Sequence, residues 1–383
     1  MYTSKLVVLF ATAAALTSAQ RYDLNEGSEC LSPDNKPGVC VFLQQCPHLL
    51  YHVQQSRMPG GQNSVQLLRR SLCRFYGRDP VVCCESTGGS TPPTNENDLS
   101  SQAKTGIVAH KNINLLPKNC GDTFHSSIVG GRMAGLTEHP WLAALVYRTR
   151  NGQEVLCGGA LINNRYVLTA AHCIKVPYGN QLVSVRLGEH NLVTEKDCYK
   201  DAKGVEKCAD PPLTVLVESA KAHEKYGGVD RFNDIGLVRL ERNVPFTNYT
   251  KPVCLPLSDT LLKSSFAGSI HEIAGWGRTE NSSSSDVKLK VSLRVFENDR
   301  CAAQYRVLYP SVKLDSSQLC AGGEQGRDSC SGDSGGPLVA QNGKWFVTGV
   351  VSYGPRNCGT QDLPGIYTRV TSFLPWILDN LKP

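Results

Sequence analysis

The chain has 383 residues, with 40 Lys and Arg against 34 Asp and Glu and a formal net charge of +6 at pH 7. That length allows two or three domains, and a 40% hydrophobic content allows a sizeable core. So mild a positive excess is easily solvated and points to no nucleic-acid or membrane-surface partner.

In chain order, the first predicted element is a leader. Met1 to Lys5 is short and basic, Leu6 to Leu16 is apolar, and Thr17, Ser18 and Ala19 are small. This pattern predicts a signal peptide over residues 1–19, removed after Ala19, and a secreted, extracellular product. The apolar run falls short of the ~20 residues a bilayer needs, so no membrane span is expected. The 16 cysteines form an even set, which with a leader reads as a disulfide framework. No CxxC pair occurs and no Cys/His spacing matches a common finger, which argues against structural zinc. Sequons at Asn248 and Asn281 fit the secretory route.

Six cysteines lie between Cys30 and Cys84 and ten from Cys120 onward. The first group marks a small module over residues 29–85. It is too short to be comfortably stable on its core alone, so three disulfides at ~2–4 kcal/mol each would compensate. Cys83 and Cys84 are adjacent and call for different partners. Arg69, Arg70, Arg74 and Arg78 make the module basic, which reads as a solvated face or a docking patch. Residues 86–127 read as a connecting segment, opening with the flexible linker Ser86-Thr-Gly-Gly-Ser-Thr-Pro-Pro-Thr94. Residues 128–383 read as mostly β. Tyr166–Thr169, Val183–Val185 and Phe346–Ser352 are β-branched runs between breakers. At the end, Phe373, Trp376, Ile377 and Leu381 have helical spacing. Thr371 or Ser372 is the expected N-cap, with Pro375 in the first turn.

Acyl transfer from a peptide needs a nucleophile, a base, a group that orients the base, and donors for the oxyanion. Three segments offer them in the order His, Asp, Ser: Thr169-Ala-Ala-His172-Cys173, Asn233-Asp234-Ile-Gly-Leu237 and Gly332-Asp333-Ser334-Gly335-Gly336-Pro337. Each alone reads as ordinary structure; their joint presence points to His172, Asp234 and Ser334 as a catalytic triad.

With these motifs, and with Ile128-Val-Gly-Gly131, Gly275-Trp-Gly277 and Ser352-Tyr-Gly354, the chain from Ile128 on resembles the chymotrypsin-like serine proteases. The resemblance implies a two-barrel β fold with a C-terminal helix and chemistry that needs no cofactor. Ser334 would attack the scissile carbonyl, His172 would carry the proton, and Asp234 would hold the imidazole. The N–H groups of Gly332 and Ser334 would bind the oxyanion. The substrate pocket would hold Asp328 at its floor with Ser329, Ser352, Gly354 and Gly365 around it, selecting Arg or Lys. Implied disulfides are Cys157–Cys173, Cys301–Cys320, Cys330–Cys358 and Cys120–Cys254. Cleavage after Ser127 would free the Ile128 ammonium to pair with Asp333.

Here the chain departs from the pattern. Phe124-His-Ser-Ser127 stands where relatives carry Arg or Lys, which implies a non-tryptic activator or an altered, non-activatable site. Glu189, Asn191, Thr194 and Asp197 match a calcium loop of the family, although Lys196 leaves a salt-bridged loop without metal open.

The N-terminal cysteines followed by a linker and a protease resemble the clip domain of arthropod clip-domain proteases. That implies pairs Cys30–Cys83, Cys40–Cys73 and Cys46–Cys84, with Cys198–Cys208 in a subgroup insert. It also implies an upstream activating protease, a downstream zymogen as substrate, a serpin inhibitor, and a haemolymph cascade of melanisation, Toll activation or clotting. The competing reading is a non-catalytic clip-bearing cofactor, which would usually lack the serine. A third, an inhibitor built on the cysteine-rich module, finds no reactive loop to support it.

Overall fold

The computed structural model describes residues 28–43, 46, 49, 52–53, 62–76, 79–85, 107–123, 134–176, 179–200, 204–227, 231–277, 284–309, 312–323, 332–355, 360 and 362–383. The chain divides into two compact units, Met1–Gln102 and Ala103–Pro383. The leader lies outside the described residues. Among those residues no helix is long and apolar enough to cross a membrane.

The first unit holds a four-stranded antiparallel sheet and one helix. Strands β1 (Glu29–Leu31), β2 (Pro37–Phe42), β3 (Leu72–Tyr76) and β4 (Asp79–Glu85) lie in the order β1-β2-β4-β3. Helix α1 (Gln62–Arg70) precedes β3 and buries Leu68. Its core is small: Leu43, Leu49, Val53, Leu68 and Val82 around Cys46. Covalent bonds supply what that core lacks. Cys30 is joined to Cys83, Cys40 to Cys73 and Cys46 to Cys84, so the adjacent Cys83 and Cys84 do take different partners.

The second unit is two closed six-stranded barrels. The first has the cyclic order β11-β12-β7-β6-β5-β8, where β5 is Leu142–Thr149, β6 Gly152–Leu161, β7 Tyr166–Thr169, β8 Gln181–Leu187, β11 Leu213–Ala222 and β12 Gly236–Leu240. A two-stranded hairpin, β9 (Cys198–Lys200) and β10 (Glu206–Cys208), leaves it between β8 and β11, closed by Cys198–Cys208. The second barrel has the order β13-β14-β15-β18-β17-β16, from β13 (Ile270–Gly275), β14 (Leu289–Phe296), β15 (Gln318–Ala321), β16 (Pro337–Asn342), β17 (Lys344–Tyr353) and β18 (Gly365–Arg369). Closure leaves neither sheet an unpaired edge along its length.

Each barrel is filled by inward-facing apolar side chains. Leu145, Leu161, Leu168, Val185, Leu187 and Leu240 fill the first, and Ile273, Leu293, Leu319, Leu338 and Tyr367 the second. The C-terminal helix differs from the sequence expectation in its start. Helix α2 here is the short Ala171–Ile174 turn, α3 is Asp259–Lys263, α4 is Asn298–Leu308, and α5 is Leu374–Asp379. Thr371 and Ser372 do not cap α5; they lie in a 3-10 turn, Val370–Phe373, that runs straight into it. Phe373 occupies the cap position without a side-chain cap bond, because its ring is held in the core of the first barrel with Ile377 and Leu378. Pro375 does fall in the first turn, where its missing N–H costs nothing.

Residues 107–123 pack on this same unit. Asn112 donates to the carbonyls of Leu378 and Leu381, Asn163 donates to Leu115 O, and Cys120 is bonded to Cys254.

Candidate active site

Strand β7 delivers the chain to the α2 turn that carries His172. Cys173 is bonded to Cys157 of β6, and Tyr147 Oη donates to Cys173 O at 2.6 Å, so the turn is fastened on both sides. Asp234 lies two residues before β12 and is fully buried. Burial of a carboxylate requires hydrogen-bond donors, and three meet it. His172 N–H reaches Oδ1 at 2.9 Å, His172 Nδ1 lies 2.8 Å from Oδ2, and Ser352 Oγ donates to Oδ2 at 2.6 Å. Thr368 Oγ1 fixes the Asp234 carbonyl at 2.7 Å. An Nδ1–H held to a carboxylate puts the lone pair on Nε2. That atom is buried and has no hydrogen-bond partner among the described residues.

Ser334 sits in the loop before β16. Its carbonyl accepts from Gly158 N–H at 2.8 Å. The next residue, Gly335, approaches the His172 turn so closely that a Cβ there would collide with Thr169 Oγ1 and lie 2.9 Å from Cys173 Sγ. The loop closes on itself through Gly336 N–H to Asp333 O at 2.9 Å. Gly332 has φ +100, and a Cβ on it would stand 2.8 Å from Gly277 Cα, so both conformation and space demand glycine. The structure thus joins His172, Asp234 and Ser352 in one hydrogen-bonded group, and the Ser334 loop packs on the His172 turn through Gly335.

Ser352, expected at the substrate pocket, gives its hydroxyl to Asp234. Gly354 and Gly365 face each other, a Cβ on the first lying 3.6 Å from the Cα of the second. Asp328, Ser329, Ser127, Ile128, Cys330, Cys358 and Asn281 lie outside the described residues. Asn248 is exposed. Cys301 is joined to Cys320.

The residues expected to hold calcium do not fit an ion. Glu189 and Asp197 are buried, three of their four oxygens accept hydrogen bonds, and Glu189 Oε2 faces the Arg186 guanidinium as an ion pair. His190 N–H and the Arg186 guanidinium take Glu189. Thr194 Oγ1 takes Asp197 Oδ1 at 2.5 Å, and Asn191 N–H takes Oδ2 at 3.1 Å. Calcium needs six to eight convergent oxygens. The cation beside these carboxylates is internal. Lys288 is buried at 2% exposure, and its Nζ donates to Glu138 O at 2.7 Å. Burial pulls its pKa down to about 8, while Glu138, Asp197 and Glu189 oppose the fall. Burial likewise raises Glu189, against the pull of Arg186.

Two family models match, Trypsin over residues 128–377 and the Regulatory CLIP domain of proteinases over residues 30–84. The chain belongs to the CLIP-domain serine proteases. Among family members, it is 41% identical over 367 residues to CLIP domain-containing serine protease HP8 of Bombyx mori, covering 93% of this chain and 94% of that one. It is 37% identical to phenoloxidase-activating factor 1 of Holotrichia diomphalia, covering 94% and 96%. A solved family structure, the Drosophila Grass clip serine protease of the Toll pathway, matches with TM-score 0.62 and 34% identity over 93% of this chain and 97% of that one. Family catalysis uses side chains and backbone donors and needs no cofactor.

Three contributions were missed in the sequence: the Ser352 hydroxyl, the Lys288 ammonium and the contact of Asp333 with Gly277. The last had a visible signal in Gly275-Trp-Gly277, two glycines flanking a tryptophan. The other two depend on residues more than 90 positions apart.

Proposed function

We propose that this clip protease is a secreted zymogen of an active serine endopeptidase that cleaves after Arg or Lys. The observation that carries the reading is the hydrogen-bonded line from Ser352 through Asp234 to His172, ending in a buried Nε2 with the Ser334 loop packed on the same turn. Ser334 Oγ attacks the scissile carbonyl as His172 Nε2 accepts its proton. The imidazolium is stabilised by Asp234 and then protonates the leaving amine. The N–H groups of Gly332 and Ser334 receive the negative oxygen, a donor pair whose single loss costs about 100- to 1000-fold. Water repeats the sequence to release the acid. Asp328 supplies the buried charge that selects a basic side chain, and Gly354 and Gly365 leave room for its length.

Residues 1–19 are the leader, 29–85 the clip domain, 86–127 the linker and activation segment, and 128–383 the protease. Cleavage after Ser127 by an elastase-like or chymotrypsin-like protease frees Ile128 to pair with Asp333. One relative named for phenoloxidase activation and one named a melanization protease support a place in a haemolymph cascade, where a downstream zymogen is the substrate and a serpin the inhibitor.

The test is a form with a cleavable site before Ile128, cut, checked by N-terminal sequencing and assayed on Arg, Lys and Phe peptides beside Ser334→Ala. Hydrolysis after Arg or Lys that vanishes in the variant supports the reading. No hydrolysis from a protein with a verified Ile128 terminus would favour the non-catalytic cofactor.

A further inference from the structure

Strand β17 leaves one carbonyl out of its ladders next to the active site. Its pairing with β16 ends at Pro337 opposite Val350, and Val351 then exchanges hydrogen bonds with Gly335 and Gly336. Its pairing with β18 is irregular between Val351 and Tyr353, so Ser352 falls outside that register too. While the Ser352 hydroxyl serves Asp234, its carbonyl accepts from Arg231 Nη1 at 3.2 Å. The Arg231 guanidinium also lies over the Tyr353 ring, 5.8 Å from its centroid. Arg231 is exposed and has φ +49, three residues before Asp234. Among the described residues no carboxylate pairs with it.

We propose that Arg231 is a specificity-determining residue that selects an acidic side chain on the substrate residue immediately before the one whose carbonyl is attacked. This rests on the endopeptidase reading. An extended peptide with its acyl carbon at Ser334 lies along the end of β17 that runs past its pairing with β16, and the N–H of the attacked residue needs an acceptor there. The Ser352 carbonyl is that acceptor, and Arg231 holds it in the unliganded chain. Binding therefore displaces one hydrogen bond of the guanidinium. Side chains alternate along an extended chain, so the preceding residue turns away from the pocket of Gly354 and Gly365. It lies next to the released guanidinium. A carboxylate there replaces the lost bond with a charge-assisted one; a neutral side chain leaves Arg231 with only the Tyr353 ring and water. The uncut or empty protein thus carries a weak competitor for its own substrate site, and an acidic substrate relieves it.

The experiment uses the full chain, cut before Ile128, with paired peptides that differ only in Asp against Asn, or Glu against Gln, before a common Arg. Wild type is expected to favour the acidic member by about two- to fivefold in kcat/KM, the range of an exposed ion pair. The preference should shrink as salt is raised. In Arg231→Gln the ratio should fall to about one, and in Arg231→Glu a Lys-bearing peptide should become the better substrate. Equal rates for acidic and neutral peptides in wild type would overturn the inference alone. So would a preference that survives Arg231→Gln. Failure to cleave any peptide would overturn the endopeptidase reading, and this inference with it. The salt dependence is read on wild type and needs no variant to fold.

Discussion

Asp333 accepts a hydrogen bond from the backbone N–H of Gly277 at 3.0 Å, across the gap between the Ser334 loop and the end of β13. The fit has no slack. A Cβ at Gly277 would stand 2.5 Å from both Cγ and Oδ2 of Asp333. Asp333 is short and its own carbonyl is tied to Gly336, so it cannot swing far. Gly277→Ala should shift Asp333 and, through it, the donors at Gly332 and Ser334. The expected loss in kcat/KM is of order 10- to 100-fold, the usual consequence of an ångström-scale misplacement. Peptide hydrolysis by the cut form measures it; unchanged kcat/KM would show that the carboxylate does not set the loop.

Asp234 and Ser352 should separate in magnitude. Asp234→Asn favours the wrong tautomer of His172 and should lower kcat by about 10⁴-fold, the loss known for this change in the general Ser-His-Asp template. Ser352→Ala removes one of three donors to a fully buried carboxylate. A hydrogen bond to a charged group is worth about 1.5–3 kcal/mol, so a loss of roughly tenfold or more is expected, chiefly in kcat. Steady-state kinetics on one Arg peptide compares the two.

The Glu189–Asp197 loop should be indifferent to calcium. Thermal unfolding of wild type in calcium and in chelator should give the same Tm, since the Arg186 and Lys288 cations and the turn's own donors already meet the carboxylates. Lys288→Met takes away the buried ammonium and leaves Glu189 and Asp197 facing each other. Loss of one member of a buried charge group costs about 3–5 kcal/mol, read as a lower denaturant midpoint. A calcium-dependent rise in wild-type Tm would contradict the assignment.

Acid should weaken the second barrel through His271. It is 2% exposed, with Nε2 2.9 Å from Ser269 Oγ and Nδ1 2.9 Å from Thr348 Oγ1. Burial, helped by the Arg369 charge, lowers its pKa from 6.5 to about 4. Between those values the unfolded chain binds the proton and the folded one does not. Stability is therefore whole above pH 6.5 and falls as pH drops toward 4, by roughly 2–3 kcal/mol from this group. Urea midpoints against pH should show the slope, and His271→Gln should flatten it.

What was legible in the sequence was local. His172, Asp234 and Ser334 each sit in a short string whose neighbours are small or apolar for reasons of packing, and Cys157, Cys173, Cys198 and Cys208 stand close to their partners. What was not legible arises from distant approach. Lys288 and Lys290 alternate with Val287, Leu289 and Val291, and nothing in that local pattern shows that Lys288 is enclosed by the Glu138 and Glu189–Asp197 segments. Glu189 and Asp197 suggested a metal by resemblance to a calcium loop of the family; the Arg186 guanidinium, the Thr194 hydroxyl and the backbone N–H groups that meet them come from the fold of this chain. The start of α5 was misplaced because Thr371 and Ser372 look like caps, whereas Phe373 in the core sets where the helix begins.

The most direct measurement is covalent labelling of the cut and uncut chains with a fluorophosphonate, followed by peptide mass spectrometry. A serine activated by His172 displaces fluoride and carries the phosphonyl group. The expected result is one label per molecule at Ser334 in the form beginning at Ile128, little in the uncut form, and none in His172→Ala. No label at Ser334 in the cut form, or a label that persists in His172→Ala, would contradict an active His172–Asp234–Ser334 centre.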